Sequence, residues 1–264
     1  MHSFPSTVEV WPSRGTTAPV VATIPHSGRR LPATVAAAMQ PRHAAWLKNT
    51  DWYLDLVYDF LPALGITTVL APFSRYVSDV NRDPSASTPG PFFSSAVPIL
   101  TDTDEPVYAV PPSAEQASER IRRFHAPFHE VVAWQLQQSV ALFGKAWLLD
   151  LHSFMGPGSH DICIGNAKGN SASDDLLELV ASKFEHQGFV VRCNEPFSGG
   201  YIVRKHARAP TIAAFLVELR YPNYLNCDRI DDPMPPPVDL LRIQRASRRL
   251  EAVFEQVVAA ARDA

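Results

Sequence analysis

Two histidines stand where an apolar run gives way to polar residues: His26 in Pro25-His26-Ser27-Gly28, and His152 in Asp150-Leu151-His152-Ser153. A pair of neutral imidazoles suits zinc or a similar divalent ion, and a hydrolytic site adds a carboxylate while leaving one position open for water. In a His-x-x-Glu arrangement that acid would follow His26 by three residues, but Arg29 stands there and cannot ligate. The third ligand must come from elsewhere. Asp51 and Asp55 open an apolar stretch at a spacing that shares one helical face, so either can turn toward the site, and Asp51 also suits a helix cap. Asp150 precedes His152 by two residues and shares its face of a strand, where a carboxylate can orient the imidazole.

Glu218 interrupts the apolar run Ala213-Ala214-Phe215-Leu216-Val217. A buried carboxylate needs a compensating neighbour, Arg220 or Arg204 in the plain structural reading. Beside a metal-bound water the same acid takes up the water proton and delivers it to a leaving amine. Arg75, Asp79, Asn81 and Arg82 crowd one short loop, and guanidinium groups grip carboxylates in a fork, which favours an acidic substrate. Gly199-Gly200-Tyr201 adds a backbone corner beside an aromatic ring. The expected substrate contacts are therefore Arg75, Asn81, Arg82, Gly200 and Tyr201, with Asp55, Asp79 and Asp150 steadying the ligands from behind. His125 and His129 stand four apart but lack the Glu of His-Glu-x-x-His and have Pro127 between them, so they read poorly as metal ligands. Ser27 and Ser153 lie outside any Gly-x-Ser-x-Gly corner, which disfavours a serine nucleophile.

The elements that must carry these groups follow from periodicity. Val20–Ile24, Ile66–Leu70, Ala146–Leu151 and Thr211–Leu219 read as buried strands, with a further one at Phe189–Val191. Asp51–Leu64 reads as a helix stopped by Gly65. Ala114–Leu142 reads as a helix kinked or restarted at Pro127, 173–187 as another, and Leu240–Ala261 as a terminal amphipathic helix. Residues 84–113, rich in Pro, Ser and Thr, read as a long surface excursion or lid. The order of strands and helices predicts an α/β fold with a mixed, mostly parallel central sheet flanked by helices, built as a single domain over 1–264. Ligands in such sheets bind at the strands' carboxyl ends.

Composition narrows the class further. Hydrophobic residues at 46% and charged residues at 19% describe an ordinary globular chain. A net charge of -3 supplies no broad basic field for nucleic acid or an anionic membrane, and neither partner is expected. Three scattered cysteines make no disulfide framework, and the start carries no signal-peptide pattern, so the cytoplasm is the expected compartment.

Taken in order, Pro25-His26-Ser27-Gly28, Thr50-Asp51-Trp52, Ser74-Arg75-Tyr76 with Asp79-Val80-Asn81-Arg82, Asp150-Leu151-His152-Ser153 and Gly199-Gly200-Tyr201-Ile202 resemble the N-formylglutamate amidohydrolase family. The family itself is similar to zinc carboxypeptidases. The resemblance implies one divalent metal ion, with zinc expected, held by His26, Asp51 and His152. It also implies Glu218 as the acid/base, the arginine loop on a substrate carboxylate, and hydrolysis of N-formyl-L-glutamate to formate and L-glutamate in histidine breakdown. An amidase for another N-acyl amino acid or small peptide, and a noncatalytic carboxylate-binding module, are the alternatives.

Overall fold

The computed structural model describes residues 4–85, 89–156, 158–228 and 230–264. Along the chain run β1 (Glu9–Trp11), β2 (Val20–Ile24), the short helices α1 (Ala33–Ala38), α2 (Pro41–Trp46) and α3 (Leu54–Val57), then β3 (Thr67–Leu70). Helices α4 (Ala114–Arg120) and α5 (Ala126–Phe143) precede β4 (Ala146–Phe154) and β5 (Ile162–Gly165). The chain closes with α6 (Asp174–His186), β6 (Val191–Cys193), α7 (Tyr201–His206), β7 (Ile212–Arg220) and α8 (Leu240–Asp263). Among the described residues the strands form one seven-stranded sheet in the order β1-β3-β2-β4-β7-β5-β6. Its centre, β3-β2-β4-β7, is parallel, while β1 runs antiparallel to β3 and β5 antiparallel to β7.

The expected mixed α/β sheet is present, and its central strands are buried on both faces, as continuous apolar runs require. One face carries Ile24, Leu149, Leu151, Val217 and Leu219 against α3, α6 and α8. In α8 the residues Ile243, Ala246, Leu250, Val253, Phe254, Val257, Val258 and Ala261 form the buried stripe, and Asp239 caps its start by accepting from the Arg242 N–H at 3.1 Å. Burying a side chain such as Phe254 is worth roughly 1.5–3 kcal/mol, so a charge there would detach the helix. The other face carries Leu148, Ala214 and Leu216 against α5 and α7, and by strand alternation it is on this face that Asp150, His152 and Glu218 lie.

The structure departs from the sequence reading in four places. The helix expected over Asp51–Leu64 is two short turns, α3 and a 3-10 turn at Leu61–Leu64. Tertiary bonds replace the cap at its start: Asp51 N–H donates to His26 O at 3.1 Å, Tyr221 Oη donates to Thr50 O at 2.9 Å, and Tyr53, with φ 58°, begins α3 instead. The 84–113 segment has no regular strand or helix, as expected, but it is not a surface excursion. Phe92, Val107 and Tyr108 are buried with Val35, Met39, Tyr76 and Phe124 in a small core of their own; residues 86–88 lie outside the described residues. Strand β4 continues three residues past Leu151, so His152 sits inside a ladder rather than at its end. The strand expected at Phe189–Val191 starts at Val191, while β1 and β5 are strands too short for periodicity to mark.

At Pro127 the expected break takes the form of a π turn, Ile121–His125, immediately before α5. Proline removes one N–H donor and its ring crowds the carbonyl four residues back, and the wider turn relieves both.

Candidate active site

Register assembles the site. In the β4–β7 ladder His152 stands opposite Glu218, and in the β2–β4 ladder Thr23 stands opposite Asp150, so all four side chains share one face of the sheet. His26 follows the end of β2, and the Asp51 N–H bond to His26 O ties the Asp51 segment beside it. The ligand atoms of His26, Asp51 and His152 all lie within 4.8 Å of one another, and all three residues are buried.

Each imidazole is held from behind. His26 Nε2 donates to Asp79 Oδ1 at 2.8 Å, which leaves Nδ1 facing Asp51 Oδ2 at 3.8 Å. His152 Nε2 donates to Asp150 Oδ2 at 3.0 Å, and its Nδ1 lies 3.1 Å from Asp51 Oδ2. Asp150 is steadied in turn by Thr23 Oγ1, which donates to Oδ1 at 2.7 Å. Two Nδ1 atoms thus converge on one carboxylate oxygen with both rings oriented by carboxylates, the arrangement by which proteins orient metal-binding histidines. These residues fit a divalent ion such as zinc, which takes imidazole nitrogen and carboxylate oxygen.

The charges are strongly perturbed. Burial, and then the nearby Arg75 charge, lower His26 to about 4 despite Asp79, so its ring is neutral at neutral pH. Burial works the same way on His152, but the Asp150 carboxylate, its hydrogen bond and that of Asp51 outweigh it and raise the group well above its usual value. For Asp79, burial is overcome first by Arg75, then by His26 and Arg82, and the carboxyl stays well below its usual range. Glu218 goes the other way. Burial, reinforced by Asp51 and Asp150 and opposed by His152, pushes it up to about 8, and among the described residues its Oε2 has no hydrogen-bond partner. A buried acid with an unpaired oxygen and a pKa near neutrality is equipped to carry a proton.

The arginine loop is differently employed from what its composition suggested. Arg75 donates from Nε and Nη2 to Asp79 Oδ2 at 3.0 and 2.6 Å and from Nη1 to Asn49 O at 3.3 Å, so its fork is spent inside the protein. Asn81 accepts from the Ile202 N–H at 2.9 Å, and its Nδ2 lies 3.1 Å from His152 Nε2. Gly200 abuts that same amide: a Cβ added there would lie 2.5 Å from Asn81 Cγ. Tyr201 packs its ring on His125 and His129 and accepts from Lys205 Nζ at 3.3 Å. Arg82 is half-buried, donating from Nε to Phe92 O and from Nη1 to Asn81 O. Asp55 lies outside the ligand cluster and accepts from Ser27 Oγ at 3.2 Å. Both line a separate cleft of about 540 Å³ with Arg29, Trp46 and Trp52. Thr23 was missed, although a hydroxyl within an all-apolar strand was a signal in plain view.

An open donor cluster beside an unpaired acid, on the polar face of a mixed sheet, marks a hydrolytic α/β protein. The chain belongs to the N-formylglutamate amidohydrolase family, whose model matches residues 18–225. It is 32% identical over 233 residues to an N-formylglutamate deformylase of Pseudomonas aeruginosa, covering 82% of this chain and 84% of that protein. A protein of the same name from Pseudomonas putida is 29% identical over 222 residues, covering 78% and 82%. The fold matches the crystal structure of N-formylglutamate amidohydrolase from Ralstonia eutropha with a TM-score of 0.77 at 23% identity, over 98% of this chain and 99% of that one.

Proposed function

We propose that this protein hydrolyses N-formyl-L-glutamate to formate and L-glutamate, as a metal-dependent step of histidine breakdown in the cytoplasm. The observation that carries the reading is the convergence of His26, Asp51 and His152 beside Glu218 and its unpaired Oε2. The named relatives choose the substrate. The three cysteines, all free and one exposed, are in keeping with a reducing compartment.

A divalent ion, zinc in our reading, would be held by His26 Nδ1, Asp51 and His152 Nδ1 and would supply Lewis acidity toward the formyl carbonyl and a positive charge favouring the Glu218 carboxylate. Glu218 takes a proton from the attacking water, whose oxygen forms the new bond to the formyl carbon. As the carbon–nitrogen bond breaks, Glu218 returns that proton to the departing amine nitrogen. Asp79 and Asp150 accept from Nε2 of the two rings, so Nδ1 is the nitrogen that each ring would offer the ion. Arg82 is the cation we assign to the substrate's carboxylate, because Arg75 is spent on Asp79 whereas Arg82 keeps donors on Nη2 and lies close enough to Glu218 for their charges to interact.

The test is a comparison of N-formyl-, N-acetyl- and N-succinyl-L-glutamate on zinc-loaded and metal-stripped protein. Formate release from the formyl compound by the loaded protein is expected, with Arg82→Gln raising KM more than it lowers kcat. No turnover of N-formyl-L-glutamate by the loaded protein would overturn the proposal.

A further inference from the structure

The turn at residues 79–82 has three tasks: Asp79 Oδ1 meets His26, Asp79 Oδ2 meets Arg75, and Asn81 lies against His152 while accepting from Ile202. It belongs to no helix or strand, so tertiary bonds must hold its backbone. Asp79 N–H donates to Ala96 O at 2.7 Å and Asn81 N–H to Asp79 Oδ1 at 2.8 Å. The carbonyls on either side of Asn81 are both taken by buried histidines from the other side of the turn. His129 Nε2 donates to Val80 O at 2.8 Å, and His125 Nε2 donates to Arg82 O at 2.9 Å. His206, on α7, donates from Nε2 to His129 Nδ1 at 2.9 Å, which keeps the His129 proton on Nε2 and therefore aimed at Val80. The rings pack into one block: His206 stacks on His129, His125 lies tilted against His129, and Tyr201 meets His129 edge-on.

We propose that His125 and His129, with His206 behind them, are positioning residues for the metal site: by clamping the Val80 and Arg82 carbonyls they aim Asp79 at His26 and Asn81 at His152. The inference rests on the metal reading above. His125, the last residue of the π turn, and His129, one turn further along in α5, share a face, their ring centroids 4.5 Å apart. Burial holds His129 well below its usual pKa, and burial with the Lys205 charge lowers His206 to about 4, so the block stays neutral and does not compete for Asp79. Orienting partners behind a metal ligand typically matter by about 10–100-fold in affinity, and residues one step further back are expected at the lower end.

The test measures zinc affinity by chelator competition for wild type, His129→Phe, His125→Phe and His129→Gln. It adds the proton resonance of His26 Nε2–H in metal-free protein and the melting temperature of each variant. The Phe variants are expected to bind zinc about 10-fold more weakly and to shift the His26 resonance, whereas Gln, which keeps a donor for Val80 O, recovers much of both. A merely structural role would lower melting temperature while leaving zinc affinity and the resonance unmoved, and that result would overturn the proposal. Should His129→Phe fail to fold, His125→Phe decides by the same readouts. If wild-type protein takes up no zinc, the metal reading falls on that result alone, and an unshifted His26 resonance in the variants then overturns this inference separately.

Discussion

Replacing Gly200 by Ala probes the site without touching any group that does chemistry. Gly200 has φ -90° and ψ -159°, a backbone conformation open to alanine, so the effect of the substitution is steric. The new Cβ would lie 2.5 Å from Asn81 Cγ, against roughly 3.5 Å for relaxed carbon contact, so the Asn81 amide must retreat by about 1 Å. That movement breaks the bond from Ile202 N–H to Asn81 Oδ1 and withdraws Nδ2 from His152. A buried donor left unpaired costs about 1–3 kcal/mol, which an unfolding titration with urea detects as a lower midpoint at unchanged slope. Displacement of catalytic groups by about 1 Å can cost on the order of 100-fold in rate, so kcat/KM on N-formyl-L-glutamate should fall by about that factor in protein that is still folded. Wild-type rate and wild-type midpoint together would refute the packing of Gly200 on Asn81 and the role given to Asn81.

Other perturbations separate the remaining parts. Glu218 is raised from 4.5 to about 8 on folding, so the stability associated with its protonated form is complete below about pH 4.5 and is lost as pH rises toward 8. Across that window the stability of metal-free wild type relative to Glu218→Gln should fall by up to about 1.4 kcal/mol per pH unit in urea titrations, and a pH-independent difference would contradict the shift. Asp79→Asn leaves the Arg75 guanidinium buried without its ion pair and should lower the stability of metal-free protein by about 3 kcal/mol, where an unchanged denaturation midpoint would count against it. Asp55→Asn should leave zinc stoichiometry and affinity by chelator competition as in wild type, because Asp55 faces Ser27; a loss of bound metal would restore Asp55 to the ligand set.

Much of the frame was legible because its signals are local. The buried strands β2, β3, β4 and β7 are β-branched or aliphatic runs, and α8 repeats its apolar residues at helical spacing. His26 and His152 stood out as polar residues next to such runs. What escaped was fixed by distant partners. Asp51 looked like a helix cap because Leu54, Val57 and Leu61 have helical spacing, yet bonds to His26 O and from Tyr221 to Thr50 hold that corner out of the helix. The choice between Asp51 and Asp55 therefore lay in tertiary contacts rather than spacing. An Arg75–Asp79 pair was within reach of a local reading, the two being four residues apart, but spacing suggested a solvated loop, whereas the pair is buried. Phe92 and Tyr108 sit far apart in an aperiodic segment, so their shared burial left no pattern to read. His125 and His129 read poorly as ligands from their spacing, and their bonds to Arg82 and Val80 span more than forty residues, which no spacing rule announces.

The central claim is that Glu218 carries the proton for hydrolysis beside a cation held by His26, Asp51 and His152. The most direct measurement is the turnover of N-formyl-L-glutamate by Glu218→Gln protein shown by metal analysis to hold the same zinc as wild type. Loss of a general acid/base predicts a fall of about 10²–10⁴-fold in kcat with zinc retained, whereas a zinc-loaded variant working at the wild-type rate would contradict the account.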